Sequence, residues 1–303
     1  MAGYRNGDLG DHLVQALLAD GQVRALAAVT TRTVEEARWR HDLYPTAAAA
    51  LGRTLTVTAF LGAMLKAPQK VFVEIVCDGP IKSLHTQADA EGRVRGYVGN
   101  PHVDLPANAK GKLDVAGAVG NGKLYVIRDP GLREPYRGFV PLVSGEIGED
   151  FAHYFLRSEQ TPSVVAVGVL VQPDHRVRAA GGLLLQVMPG ASDAVISILE
   201  RRARELPPIS SAVDQGKDAE GLLSMVAGEL DVRVLRRLPV QFKCSCSKER
   251  FERALIALGE EELRDMLETD GSAELVCHFC SEVYRFDAKE LSALLKAAAH
   301  RQQ

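Results

Sequence analysis

The chain has little net charge. Thirty-six basic residues nearly balance thirty-nine acidic ones, for a formal charge of −3. A basic or acidic excess would be a general electrostatic reason to bind nucleic acid or an anionic membrane, and neither is present. A long uninterrupted apolar run is also missing. The best candidate, Thr46–Leu65, is broken by Arg53 and four threonines, which favours a buried helix over a membrane span. The opening residues Met-Ala-Gly-Tyr-Arg-Asn-Gly-Asp lack the apolar core of a signal peptide, so a cytoplasmic location is expected. The sequence has no nucleophile elbow, no His-Glu metalloprotease motif and no P-loop, and most of its histidines stand alone; it is not expected to be an enzyme. Cysteine is scarce too, at five in 303 residues. In a reducing cytosol stable disulfides are rare, so clustered cysteines point to metal or redox chemistry.

The length suggests about two domains. The expected class is α+β: a sheet-rich N-terminal domain with packed helices over 1–190, a helical and metastable linker over 191–238, and a small cysteine-bearing α+β domain over 239–303. Gln22–Thr31 reads as a strand. Thr33 with Glu36 reads as a capping box opening a helix, and Pro45 opens a second. Strands are then expected at 71–76, 81–86, 93–98, 112–119 and 123–128, with Asn121-Gly122 as a hairpin turn. A helix over 149–157 and strands over 163–171 and 176–187 complete the first domain. After Pro189 the chain mixes dense charge with Val195, Leu199, Leu222, Leu223 and Val226, broken at Pro207-Pro208. Such a stretch forms amphipathic helices that need a surface to pack on.

Four of the five cysteines sit in two close pairs, Cys244-Ser-Cys246 and Cys277-His-Phe-Cys280. The second pair falls in a turn between two expected strands. Four thiolates suit one tetrahedral Zn2+, and a segment this short needs such a staple. Four buried small apolar residues would be the bland alternative. His278 lies inside the second pair and is a possible substitute ligand, but four cysteines already fill the site. Zinc-bound thiolates remain open to oxidants. Of three disulfide connectivities, the local one needs least chain movement. Cys77 follows an apolar strand and reads as a partly buried structural residue.

These residues resemble the redox-regulated 33-kDa heat-shock proteins, along essentially the whole chain. The cysteine pattern is the most specific part. Supporting stretches lie within Arg24–Arg40, Ala50–Thr56, Tyr154–Pro162 and Ala180–Pro189. The resemblance implies a chaperone that holds one zinc ion on Cys244, Cys246, Cys277 and Cys280 and is inactive when reduced. It also implies that oxidation joins each neighbouring pair as a disulfide, releases zinc and unfolds the cysteine domain. The chain would then dimerise and hold unfolding client proteins without ATP. Two other classes compete. A zinc-ribbon module binding nucleic acid or protein fits the cysteines, but the overall charge is acidic and no aromatic-basic stripe surrounds them. A thiol–disulfide oxidoreductase would place Cys277-x-x-Cys280 at a helix N-terminus, whereas Val283-Tyr-Arg-Phe reads as strand.

Overall fold

Residues 10–131 and 135–299 are described by a computed structural model. The chain forms two compact units, 1–243 and 244–303. The first begins with β1 (His12–Leu18), β2 (Val23–Val29), α1 (Thr31–His41), α2 (Pro45–Ala63), β3 (Lys70–Cys77), β4 (Ser83–Asp89) and β5 (Arg93–Val98). It continues with α3 (Val115–Val119), β6 (Gly122–Asp129), β7 (Tyr136–Pro141), α4 (Gly148–Ser158), β8 (Ser163–Val171) and β9 (Val177–Val187). It ends with α5 (Asp193–Glu205), α6 (Ile209–Asp214), α7 (Ala219–Ala227), β10 (Val232–Pro239) and β11 (Gln241–Phe242). The second unit holds α8 (Lys248–Leu258), α9 (Glu260–Thr269), β12 (Ala273–Val276), β13 (Val283–Phe286) and α10 (Ala288–Ala299). The expected α+β class holds.

Two sheets build the first unit, one ordered β10-β1-β2-β9-β8 and one β11-β5-β4-β3-β6-β7. Helix α2 packs against strands of both. Every one of its residues except Arg53 is buried, and Arg53 ion-pairs with Glu146 at 2.6 Å. Its threonines are satisfied inside the core. Thr54, Thr56 and Thr58 donate to the carbonyls four residues back at 2.8–2.9 Å. Thr56 also meets Thr30, and Thr58 meets Thr86. A helix that looked too polar for lipid is thus buried in protein, with its hydroxyls paired.

The first sheet is apolar on both faces. Leu13, Leu26, Ala28, Ala180 and Leu184 point into the core with α2. Their alternating neighbours Val14, Ala16, Ala25, Ala27, Leu183 and Leu185 point the other way, as the two-residue period of a strand requires. That second face is covered by α5, α6 and α7 through Val195, Leu199, Ile209, Ala212, Leu222, Leu223 and Val226. Ser192 and Asp218 cap α5 and α7 by accepting from Val195 and Gly221 amides.

Several local expectations are corrected. Thr33 does not cap α1. The helix starts at Thr31, and Thr30 at its N-cap makes no side-chain cap bond. The carboxylate of Asp11 accepts the Arg32 and Thr33 amides at 3.1 and 2.6 Å, a cap supplied from outside the helix. Burial pushes the Asp11 carboxyl up, and these bonds pull it back. Residues 112–119 are not a strand: Asp114 caps the short α3, accepting from Gly117 at 3.0 Å. Asn121-Gly122 is therefore no hairpin turn, and the Asn121 amide donates to Asp78 instead. Gly79 allows this approach, because a Cβ there would stand 2.4 Å from the Ala118 carbonyl oxygen. From the end of the expected linker into the first residue beyond it, 232–239 form strand β10, antiparallel to β1. Just beyond it β11 pairs parallel with β5, which carries the first unit past residue 239.

Asp150 organises the turn before α4. It is fully buried, and its carboxylate accepts amides of Val143, Ser144, Gly145 and Ile147 at 2.7–3.4 Å. Asp150→Ala leaves four donors without an acceptor and is expected to destabilise by about 3 kcal/mol or more. Asp150→Asn, whose amide oxygen still accepts, should fall between. Thermal unfolding midpoints will rank the three proteins, and an alanine variant as stable as the parent would refute the assignment.

Candidate metal centre

Thirty residues separate the two cysteine pairs, and the fold of the second unit closes that gap. Lys248–Leu258 starts after Ser247, whose hydroxyl caps α8 by accepting from Arg250. The Arg250 guanidinium reaches back to the carbonyl and hydroxyl oxygens of Ser245, at 3.0 and 3.1 Å, and so braces the Cys-x-Cys loop. On the other side β12 and β13 pair from Ala273–Phe286 to Val276–Val283. The turn between them closes through the Cys280 and Ser281 amides, which both donate to the Cys277 carbonyl. Leu255, Leu263, Phe286, Leu291, Leu294 and Ala298 form the small core beneath. Asp287 and Glu290 cap α10 reciprocally, each accepting the other's amide.

All four thiols meet. Their sulfurs lie within 4.8 Å of one another, with Cys244–Cys277 at 3.7 Å and Cys246–Cys280 at 3.4 Å. None of the five cysteines is in a disulfide. Four sulfurs at about 2.3 Å from a tetrahedral Zn2+ stand about 3.8 Å apart, so the donor set fits that ion. The thiols alone are a poor set of acids. The hydrogen bond with Cys244, then burial, raises Cys277 well above the ordinary thiol range. Burial pushes Cys280 up to about 12. Each added thiolate repels the next, and a divalent cation removes that obstacle. Amides of Phe279 and Glu282 favour the thiolates of Cys277 and Cys280.

The family of the chain can be placed on this geometry. The profile described as Hsp33 protein matches residues 11–287. The chain belongs to the Hsp33 family. It is 53 % identical over 291 residues to the 33 kDa chaperonin of Halalkalibacterium halodurans, covering 96 % of this chain and all of the relative. It is 50 % identical over 290 residues to that of Staphylococcus aureus, covering 95 % of this chain and 99 % of the relative. A crystal structure of the 33 kDa chaperonin (heat shock protein 33 homolog) of Thermotoga maritima superposes with a TM-score of 0.89 at 39 % identity, over 96 % of this chain and 99 % of that one. These relatives make the chain a member of a chaperone family, whose business is with unfolded proteins.

Within the Hsp33 frame the remaining candidates fall into place. Cys77 ends β3 in the first unit and is not a member of the four-cysteine group, and its thiol is raised by burial. His278 is exposed in the turn, and the four-ligand group is made of cysteines alone. Tyr284 is a participant that the sequence did not reveal. Its hydroxyl donates to Cys246 Sγ at 3.2 Å, and that contact holds the phenol proton on. Its position on β13, opposite Leu275, was the available clue. Among the described residues no helix is long and apolar enough to cross a membrane.

Proposed function

We propose that this chain is a redox-regulated, ATP-independent holdase of the cytoplasm, inactive when Cys244, Cys246, Cys277 and Cys280 hold one Zn2+ and active when they are oxidised. The single observation that carries this is the four-thiol cluster in a unit with a six-residue core. When bound, the ion keeps four thiolates together and supplies folding energy to that unit. In the oxidised form two thiolates, one hydrogen peroxide and two protons become one disulfide and two waters. A sulfur in a disulfide no longer serves as a ligand, so the unit loses both metal and fold.

The second half of the reading concerns helices α5–α7. They cover an apolar sheet face in the first unit. Released, both the helices and that face become a surface for unfolded clients and for a second copy of the chain. Coupling runs through the continuous chain: β10 and β11 lead directly into Cys244. The oxidoreductase alternative lacks support, since β13 rather than a helix follows Cys280.

The deciding experiment measures bound zinc, oligomeric state and suppression of client aggregation before and after peroxide at a mildly unfolding temperature. Expected are one zinc per chain and no activity at first, then zinc loss, dimers and activity. An active reduced form, or an oxidised form that gains nothing, would sink the proposal. Non-reducing peptide mapping should find Cys244–Cys246 and Cys277–Cys280. All four sulfurs start within 4.8 Å, so distance alone does not dictate the pairing, and cross-linked pairs would mean that the unit oxidises without unfolding.

A further inference from the structure

Far from the cysteines in sequence, a buried histidine faces two carboxylates. His12 opens β1, opposite Val29 of β2 and Pro239 of β10, and is 9 % exposed. Its Nδ1 lies 2.9 Å from the Gly10 carbonyl oxygen. A carbonyl only accepts, so Nδ1 carries a proton, and whenever the ring is neutral Nε2 presents a lone pair. That Nε2 is buried and has no hydrogen-bond partner among the described residues. It faces Glu220 Oε2 at 3.5 Å. With the ring neutral, two acceptors face each other across that distance.

The neighbouring groups each engage one carboxylate oxygen of the pair. Arg237 on β10 donates to the other Glu220 oxygen, Oε1, at 2.6 Å. Asp218, the N-cap of α7, accepts from Gly221 through Oδ1 at 2.7 Å. One ligand atom from each of His12, Asp218 and Glu220 falls within a group no wider than 4.8 Å.

We propose that His12, Asp218 and Glu220 form a second metal site, distinct from the four-cysteine centre, for a divalent transition ion of the Zn2+ or Co2+ kind. Imidazole and carboxylate donors at about 2.0–2.2 Å from a tetrahedral ion stand about 3.4 Å apart, close to the observed 3.5 Å. An imidazole donor selects against Mg2+ and Ca2+, which take oxygen. Water fills the remaining position. The ion ties α7 to the strand beside which it packs, so it stabilises the covered state of the sheet whether or not the redox reading is right.

The test uses the full chain with its cysteine centre already loaded with zinc, titrated with Co2+ at neutral pH. Expected is one cobalt per chain without the intense sulfur-to-cobalt charge-transfer absorption, together with a higher unfolding temperature. His12→Asn and Glu220→Gln should each weaken that binding by more than tenfold, since loss of a mere supporting group already costs about 10–100-fold. Both variants should keep their zinc, which also reports that they fold. Cobalt binding unchanged in both variants, no second equivalent in the parent, or stabilisation that follows only the lowering of pH would each overturn the proposal. The last result would make a proton the cation that the pair takes up.

Discussion

Leu222→Asp will make the reduced, zinc-loaded chain suppress client aggregation without any oxidant. Leu222 is fully buried on α7 against the first sheet. A carboxylate there has no partner in an apolar cluster and costs several kcal/mol, or else the helix leaves the sheet. Leaving is the easier path. The same face of α7 carries Leu223 and Val226, and the sheet beneath already has its other face packed on α2. The sheet should therefore survive the loss of one cover. Leu222→Ala, at about 2–5 kcal/mol, should give partial activity, and Ser224→Asp, on the exposed side of the helix, none. Aggregation suppression read beside zinc content separates the outcomes. A Leu222→Asp chain that stays folded, keeps its zinc and remains inactive would show that the covered face is not where clients bind.

Removal of the metal has the second large effect. Chelation, or Cys277→Ser, is expected to unfold residues 244–299 while the two sheets of the first unit persist. A structural zinc supplies about 10–16 kcal/mol at neutral pH, more than a core of six buried residues can replace. The surface pairs of the unit offer little substitute. Lys248 with Glu290 and Arg285 with Glu274 are substantially exposed, and such pairs are each worth less than about 1 kcal/mol. Amide exchange resolves the result by segment. Protection should vanish across α8, α9 and α10 and remain across β2 and β9. Protected helices in the metal-free chain would mean that the unit folds without its ion.

The cysteine centre was the most legible part of the sequence. Its spacing predicts the four-cysteine group that the fold assembles, and Gly259 and Asp287 mark a helix end and a helix cap around it. The long helix from Pro45 was equally readable, because its polarity pattern fits burial and not lipid. What stayed hidden depends on contacts distant in sequence. Asp11 caps a helix it does not precede directly. β10 falls at the end of the expected linker and carries Arg233, Arg236 and Arg237 among its apolar residues. Those charges suit an edge strand, where they discourage further pairing. Residues 112–119 hold a short helix and not a strand because Asp114 caps the turn, and Asp78 holds the segment after it. His12 reads as one of several isolated histidines, structural or solvated, and only the fold brings it to α7.

The placement of β10 bears on how the cover closes again. Helices α5–α7 are bounded by β9 on one side and β10 on the other, and both belong to the sheet that the helices cover. The covering segment is thus a loop anchored at both ends and not a loose tail. Its effective concentration at the sheet stays high even when every helix contact is lost, because the ends need no search. Under the proposed function, a client on that face would compete against a tethered ligand. With the anchors held and the thiols reduced, the tether itself would favour return of the helices and expulsion of whatever took their place.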